Sequence, residues 1–362
     1  MKVLRETENR PVDQFYGPGM DTVDVLVVGA GLAGLNTARL LAEAGLDVAV
    51  CERRTSLETG IRTTGIFVRR TLTDYRLPHL GPAVRRVLLY PPSLNEPVEL
   101  VSARDEFRVG DMAGIYAQAV KDAERAGAQV NLNASYPAKA TKARFTIGAD
   151  GARSTVAKQL GLDVNRQLIT GIEEVYPIRT GSTPTFHCVV DPRLAPGYIA
   201  WVIDDGEHAH VGLAGRADRF TAPLPQLLQR FRDSFPTPEP AGPVQRRGGP
   251  IPVGGLLRRI VSPQGLLVGD AAGAVSPLTA GGLDPCMRMS ELAASVTSDY
   301  LRSGNKYVLE HYDAAAMRRR YLLRSTMRRG LSLVRGPGLA ELAFTGLRTP
   351  VGKAVAKRIL FT

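Results

Sequence analysis

A chain of 362 residues, 44% hydrophobic and 22% charged, has the make-up of an ordinary soluble globular protein and suits a nucleotide-binding domain with a second domain interleaved. Its three cysteines, Cys51, Cys188 and Cys286, are too few and too scattered for a disulfide framework or a zinc site, which points to a reducing compartment. The net charge of +11 sits almost wholly in the tail, where eleven Lys or Arg stand against the single acid Glu341 between Arg318 and Arg358; with no nucleic-acid-binding pattern beside them, nucleic acid is the weakest of the partners they suggest.

Residues 1–20 have no apolar signal-peptide core and read as a polar arm. No stretch approaches the run of about eighteen apolar residues that reads as a membrane span. A cytoplasmic protein is expected, with peripheral membrane contact through the basic C-terminal segment left open. Val23–Val28 reads as a strand, Gly29 to Gly34 as a glycine turn, Leu35–Ala44 as a helix, and Leu46–Cys51 as a second strand. That is one βαβ unit. Asp111–Ala126 has helical apolar spacing, Arg144–Asp150 is strand-like, and a short helix is expected from Ser154 to Leu160. From about 165 to 215 the pattern turns to short strands with turn signals. A helix follows over 223–235, then a Pro/Gly-rich connection over 237–255. An apolar strand runs up to Gly269, and Cys286–Leu301 reads as a helix.

The chemistry begins at Gly29, Gly31 and Gly34. This spacing provides a tight turn, a close approach of backbone to a pyrophosphate, and close helix–strand packing. Glu52, at the end of the second strand with Arg53 beside it, can accept hydrogen bonds from a ribose. An acid there disfavours a 2′-phosphate, so the site suits FAD or NAD rather than NADP. Two more strand ends carry acids: Asp150, in Ile147-Gly-Ala-Asp150-Gly-Ala-Arg-Ser154, and Asp270, in Leu267-Val-Gly269-Asp270-Ala-Ala-Gly273. A plain NAD dehydrogenase has no use for the last of these.

Together the three motifs resemble the p-hydroxybenzoate hydroxylase class of flavoproteins. The resemblance implies one FAD, with Asp150 near the pyrophosphate, Gly269 and Asp270 at the ribityl chain, and the N–H groups of Gly281, Gly282 and Leu283 at the flavin N1/O2 edge. Residues 248–294 are similar to the geranylgeranyl reductase family, which saturates isoprenoid double bonds with reduced FAD. Pro196-Gly-Tyr198-Ile-Ala-Trp201 is similar to that family's aromatic substrate-domain motif. Two departures stand out: the loop Glu58–Ile66 has no cysteine where the family places one against the flavin, and Val202-Ile203 replaces the motif's Phe-Pro end.

The expected architecture is α/β, a Rossmann-type FAD-binding domain with an interleaved β-rich substrate domain and a C-terminal helical tail. Its parts are 1–20, 21–162, 163–258, 259–310 and 311–362: arm, FAD domain, substrate domain, FAD domain resumed, and basic helical segment. Arg62 could pair with the pyrophosphate or orient an anionic head group, and Arg108 is a second candidate of that kind. Tyr198 and Trp201 could wall a lipophilic pocket and, with Arg62, are the candidate catalytic residues. His208 and His210 are expected on a solvated hairpin, and Cys51 and Cys286 as small buried apolar groups. With no second glycine fingerprint, the reductant is NAD(P)H docking transiently or a reduced electron-carrier protein. The expected activity is reduction of a C=C bond in an isoprenoid or similar lipophilic substrate. The alternatives are a flavin monooxygenase acting on a small lipophilic or aromatic substrate and a non-redox isomerase or cyclase; fold cannot separate them.

Overall fold

The computed structural model describes residues 21–137, 141–179, 183–313 and 315–361, so the expected N-terminal arm lies outside the described residues. The first strand is β1 (Asp21–Val28), followed by helix α1 (Leu32–Glu43) and strand β2 (Val48–Cys51). The helix opens three residues before the expected start. Gly34 is a poor helix former but packs inside the first turn, where its missing side chain is needed.

β1 pairs in parallel with β2 on one side and with Thr141–Gly148 on the other. The six-stranded sheet runs in the order 261–262, 265–267, 141–148, 21–28, 48–51 and 129–131. Every pairing in it is parallel except the outermost, 261–262 with 265–267. The helices Met112–Arg125 and Leu283–Ser303 both pack on α1. Register does the important work. Val28 lies beside Cys51 and Gly148, and Gly148 beside Leu267, so four parallel strands end at one level. The glycine turn, Glu52, Asp150 and Asp270 therefore emerge along a single carboxyl edge, where open α/β sheets bind their ligands.

The second sheet has seven strands, in the order 245–252, 168–177, 208–215, 200–204, 185–189, 86–90 and 98–101. It revises the sequence reading in two places. Gln245–Pro252 is a strand, although its prolines and glycines read as a connection. It lies at the sheet edge, pairing with Leu168–Pro177 alone, where missing N–H donors are tolerated. Arg86–Tyr90 and Val98–Val101 also join this sheet, although they fall within the stretch 21–162. Ile66–Val68, Phe107–Gly110 and Leu80–Val84 form a further, three-stranded sheet.

Among the described residues the tail forms the helices Ala315–Arg320, Leu322–Leu333, Pro337–Leu347 and Pro350–Leu360. They are packed: Phe344 and Ala356 join the apolar cluster that holds Phe107, Tyr198 and Trp201. Phe361 lies 5.9 Å from the Phe107 ring, and its carbonyl accepts from Arg69 at 3.0 Å. Among the described residues no helix is long and apolar enough to cross a membrane.

Candidate functional site

The three fingerprint glycines serve different masters. Gly29 has φ +102°, in the left-handed region, and a Cβ there would stand 2.5 Å from the Ala149 carbonyl oxygen. A Cβ on Gly34 would strike the Gly29 carbonyl oxygen and come within 3.2 Å of the Ala149 Cβ. Both positions are demanded by the protein's own packing. Gly31 is not. Its φ of −75° suits any residue, and a Cβ there would meet nothing within 4 Å. The space it keeps open lies at the N-terminus of α1, whose first N–H groups have no side-chain cap among the described residues and no acid in the first turn. An uncapped helix start with a clear approach suits a pyrophosphate.

Glu52 is buried. Its Oε2 accepts from the Ala30 N–H at 2.9 Å, and its Oε1 from the Arg54 N–H at 2.9 Å and the Arg54 Nε at 3.1 Å. Burial alone would raise its pKa, but hydrogen bonds from Arg54 and Ala30 hold it below the usual carboxylate range. The arginine engaged here is thus Arg54, while the expected Arg53 is exposed. Two adjacent arginines in one turn cannot be told apart by spacing.

Asp150 turns Oδ2 to the N–H groups of Thr155 (2.6 Å) and Val156 (3.2 Å) at the start of helix Thr155–Gln159. Its Oδ1 is buried with no hydrogen-bond partner among the described residues. Such an orphan at the ligand edge calls for a donor from outside the chain. Asp270 is held by its backbone, whose carbonyl accepts from Asn165 Nδ2 at 2.8 Å. Its carboxylate makes no hydrogen bond among the described residues, and desolvation pushes its pKa up to about 6. The Asp270 Oδ1 lies 3.4 Å from where a Cβ on Gly282 would stand, which brings Asp270 against a second glycine loop, residues 276–282.

That loop is held from within: the Ser276 N–H donates to the Gly281 carbonyl at 3.0 Å and the Ala280 N–H to the Ser276 carbonyl at 2.9 Å. Ala280 takes φ +53°, a costly conformation for a residue with a Cβ. The N–H groups of Gly281, Gly282 and Leu283 have no partner among the described residues, and they stand at the start of the 21-residue helix Leu283–Ser303. Here the helix dipole and free donors suit negative charge on a reduced flavin.

Tyr198 and Trp201 are buried, but they reach the site through hydrogen bonds. Tyr198, expected on a strand, lies just before the strand Ala200–Asp204, and its hydroxyl donates to the Thr279 carbonyl at 2.8 Å. The Arg328 guanidinium lies 5.6 Å from its ring centre and donates to the Gly197 carbonyl. Trp201 Nε1 donates to Glu173 Oε1 at 2.9 Å, and the Thr64 hydroxyl donates to the same oxygen at 2.8 Å. The motif's two aromatics therefore tie the substrate sheet to two loops of the FAD domain. Glu173 and Thr64 escaped the sequence reading, although a Glu pair inside the apolar strand 168–177 was the available signal.

Arg62 is exposed and makes no ion pair among the described residues; its Cδ lies 3.6 Å from where a Cβ on Gly249 would stand, at the edge strand. Arg108 is committed elsewhere, to Asp105 at 2.9 Å and the Gly81 carbonyl at 3.3 Å, and lines a cleft of about 580 Å³ with Leu72, Tyr75 and Arg76. The solvated-hairpin expectation holds for His208 only. His210 is buried 3.4 Å from Asp205, because its strand is interior to the sheet and only its first residue is exposed. All three cysteines are free and buried; burial raises Cys51 to about 11 and pushes Cys188 and Cys286 higher still.

The profile described as FAD dependent oxidoreductase matches residues 24–206. The digeranylgeranylglycerophospholipid reductase of Methanothrix thermoacetophila is 31% identical over 318 residues, covering 78% of this chain and 79% of that protein. Its namesake in Thermoplasma acidophilum is 27% identical, covering 79% of this chain and 80% of the relative. Among solved structures, a geranylgeranyl bacteriochlorophyll reductase-like protein from Thermoplasma acidophilum superposes with a TM-score of 0.77 at 21% identity, covering 89% of this chain and 90% of that one. A p-nitrophenol 4-monooxygenase from Pseudomonas putida gives 0.62 at 19%, with 94% of each covered. At such identities these two likenesses speak for the fold.

Proposed function

The chain belongs to the FAD dependent oxidoreductase family, and on that premise we propose that it reduces a carbon–carbon double bond in an isoprenoid chain carried by a lipid. The observation that carries the substrate class is an apolar cluster. It joins Tyr198 and Trp201 to Phe344 and Ala356 of the tail, with Ala280 of the glycine loop packed against it. It sets an apolar wall beside the loop that meets the flavin edge, the lining a lipophilic substrate requires. The reductases named above support the same class.

When bound, reduced FAD supplies the hydride for the double bond. The chain's own residues hold and orient it. The free N-terminus of α1 beside Gly31 takes the pyrophosphate, Glu52 faces the ribose, and Asp150, near the pyrophosphate, keeps an acceptor oxygen for a hydroxyl of the ligand. Asp270 accepts from the ribityl chain, and the N–H groups of Gly281, Gly282 and Leu283 meet the ring edge. Tyr198 holds that loop through Thr279, Trp201 and Glu173 hold the facing loop through Thr64, and Arg62 stands at the rim for an anionic head group. NAD(P)H or a reduced electron-carrier protein serves as electron donor, and the basic tail keeps the enzyme near lipid.

The test is anaerobic. Dithionite-reduced holoprotein is incubated with a geranylgeranyl glycerophospholipid, and mass spectrometry should find added H₂ at the double bonds. Substrate-dependent oxygen consumption with a hydroxylated product, and no saturation without oxygen, would show the reading wrong and favour a monooxygenase. NADH, NADPH and reduced ferredoxin in place of dithionite identify the donor.

A further inference from the structure

Seven of the eleven large apolar side chains exposed among the described residues lie between Leu322 and Val355. Single exposed apolar residues are ordinary on a protein surface, but such a concentration on neighbouring short helices marks an interaction site. The exposed residues follow helical spacing. Leu322 and Leu333 share one stripe of the first of these helices with Arg329, Leu339 and Leu342 share a face of the second, and Val351 and Val355 share a face of the third. The inward faces carry Phe344, Ala356 and Ile359, all buried.

Charge says what covers this surface. From Arg318 to Arg358 the chain carries eleven cations against one acid, and that acid, Glu341, already accepts from the Ser93 N–H at 2.7 Å. Arg319, Arg329, Lys353 and Lys357 are exposed among the exposed leucines and valines. Arg328 is not part of this surface: it is buried under Tyr198 and bound to the Gly197 carbonyl. Exposed apolar residues flanked by cations suit the boundary between acyl chains and anionic head groups.

We propose that the C-terminal helices dock this protein on an anionic lipid bilayer through Leu322, Leu323, Leu342 and Val351, with Arg319, Arg329, Lys353 and Lys357 at the head groups. The same helices have Phe344 and Ala356 on their other side, in the cluster with Tyr198 and Trp201 against which Ala280 packs, so the docked face shares its helices with the apolar core beside the loop where a lipid-borne chain would meet the flavin. That second statement rests on the lipophilic-substrate reading; the docking itself does not.

The experiment uses FAD-loaded full-length protein and sedimentation with phosphatidylcholine vesicles, with or without phosphatidylglycerol. Binding should require phosphatidylglycerol and weaken as salt rises. Each cation removed should weaken it about fivefold, so that R319Q/R329Q/K353Q/K357Q loses on the order of several hundredfold. The variant L322S/L323S/L342S/V351S should also lose binding. All eight positions are exposed, so both variants should keep bound FAD and the parental melting temperature, which separates lost docking from lost folding. Unchanged binding by either variant, equal binding to phosphatidylcholine alone, or no binding by the parent would overturn the proposal. So would light scattering that shows the serine variant turning a dimer into a monomer, since the face would then belong to a second copy. If the parent docks as stated yet saturates no isoprenoid in vesicles or in detergent, the docking stands and the substrate reading falls.

Discussion

Replacing Asp270 with Asn should stabilise the FAD-free protein while weakening its hold on FAD. The Asp270 carboxyl has no hydrogen-bond partner among the described residues, and desolvation raises its pKa from 3.8 to about 6. A carboxyl whose folded pKa exceeds its unfolded one binds its proton more tightly when folded, so its ionisation works against the fold. The penalty is absent below about pH 4, grows between 4 and 6, and is constant above 6. Two pH units correspond to about 3 kcal/mol at neutral pH. At about 2.1 cal/mol/K per residue, that is roughly 4 °C in Tm for a chain of this length. Asn keeps the shape without the charge. Melting curves of FAD-free parent and variant from pH 4 to 8 should therefore diverge as pH rises and run parallel above 6, with the variant higher. With FAD bound the order should narrow or reverse, because the ribityl hydroxyls lose a charged acceptor. A variant that melts lower than the parent when free of FAD, or a gap that ignores pH, would refute the view that this carboxylate faces the ligand unpartnered.

Three further substitutions probe the same edge. Gly34→Ala should cost the FAD-free protein about 1–3 kcal/mol in denaturant melts, because its Cβ meets backbone, whereas Gly31→Ala should leave those melts unchanged and weaken FAD binding at least about tenfold by flavin fluorescence titration. Glu52→Gln should lower stability at pH 7 by about 1.5–3 kcal/mol through its charged hydrogen bonds; since the folded pKa of Glu52 lies below the usual 4.5, the difference should fade as pH drops below that value. Tyr198→Phe leaves the Thr279 carbonyl without its donor, and should speed FAD release and alter the flavin absorbance band while Tm falls by only a few degrees.

The cofactor half of this protein was legible because its chemistry is local. A glycine that must take φ +102°, a glycine with no room for a Cβ, and acids just past apolar strands are each written within a few residues, and parallel pairing needs only the strand ends to agree. Tertiary structure decided what depends on partners distant in sequence. Arg53 and Arg54 look alike until the fold turns one of them to Glu52, and Arg108 looks free until Asp105 meets it. Gln245–Pro252 has the composition of a loop, and becomes a strand because an edge position asks for hydrogen bonds on one side only. The aromatic motif showed two large side chains, but not that one holds Thr279 and the other, through Glu173, holds Thr64, contacts that span 81, 28 and 109 residues. The tail displayed its charge in the sequence. Which arginine is buried under Tyr198, and which leucines face outward, follows from packing against a core assembled from the rest of the chain.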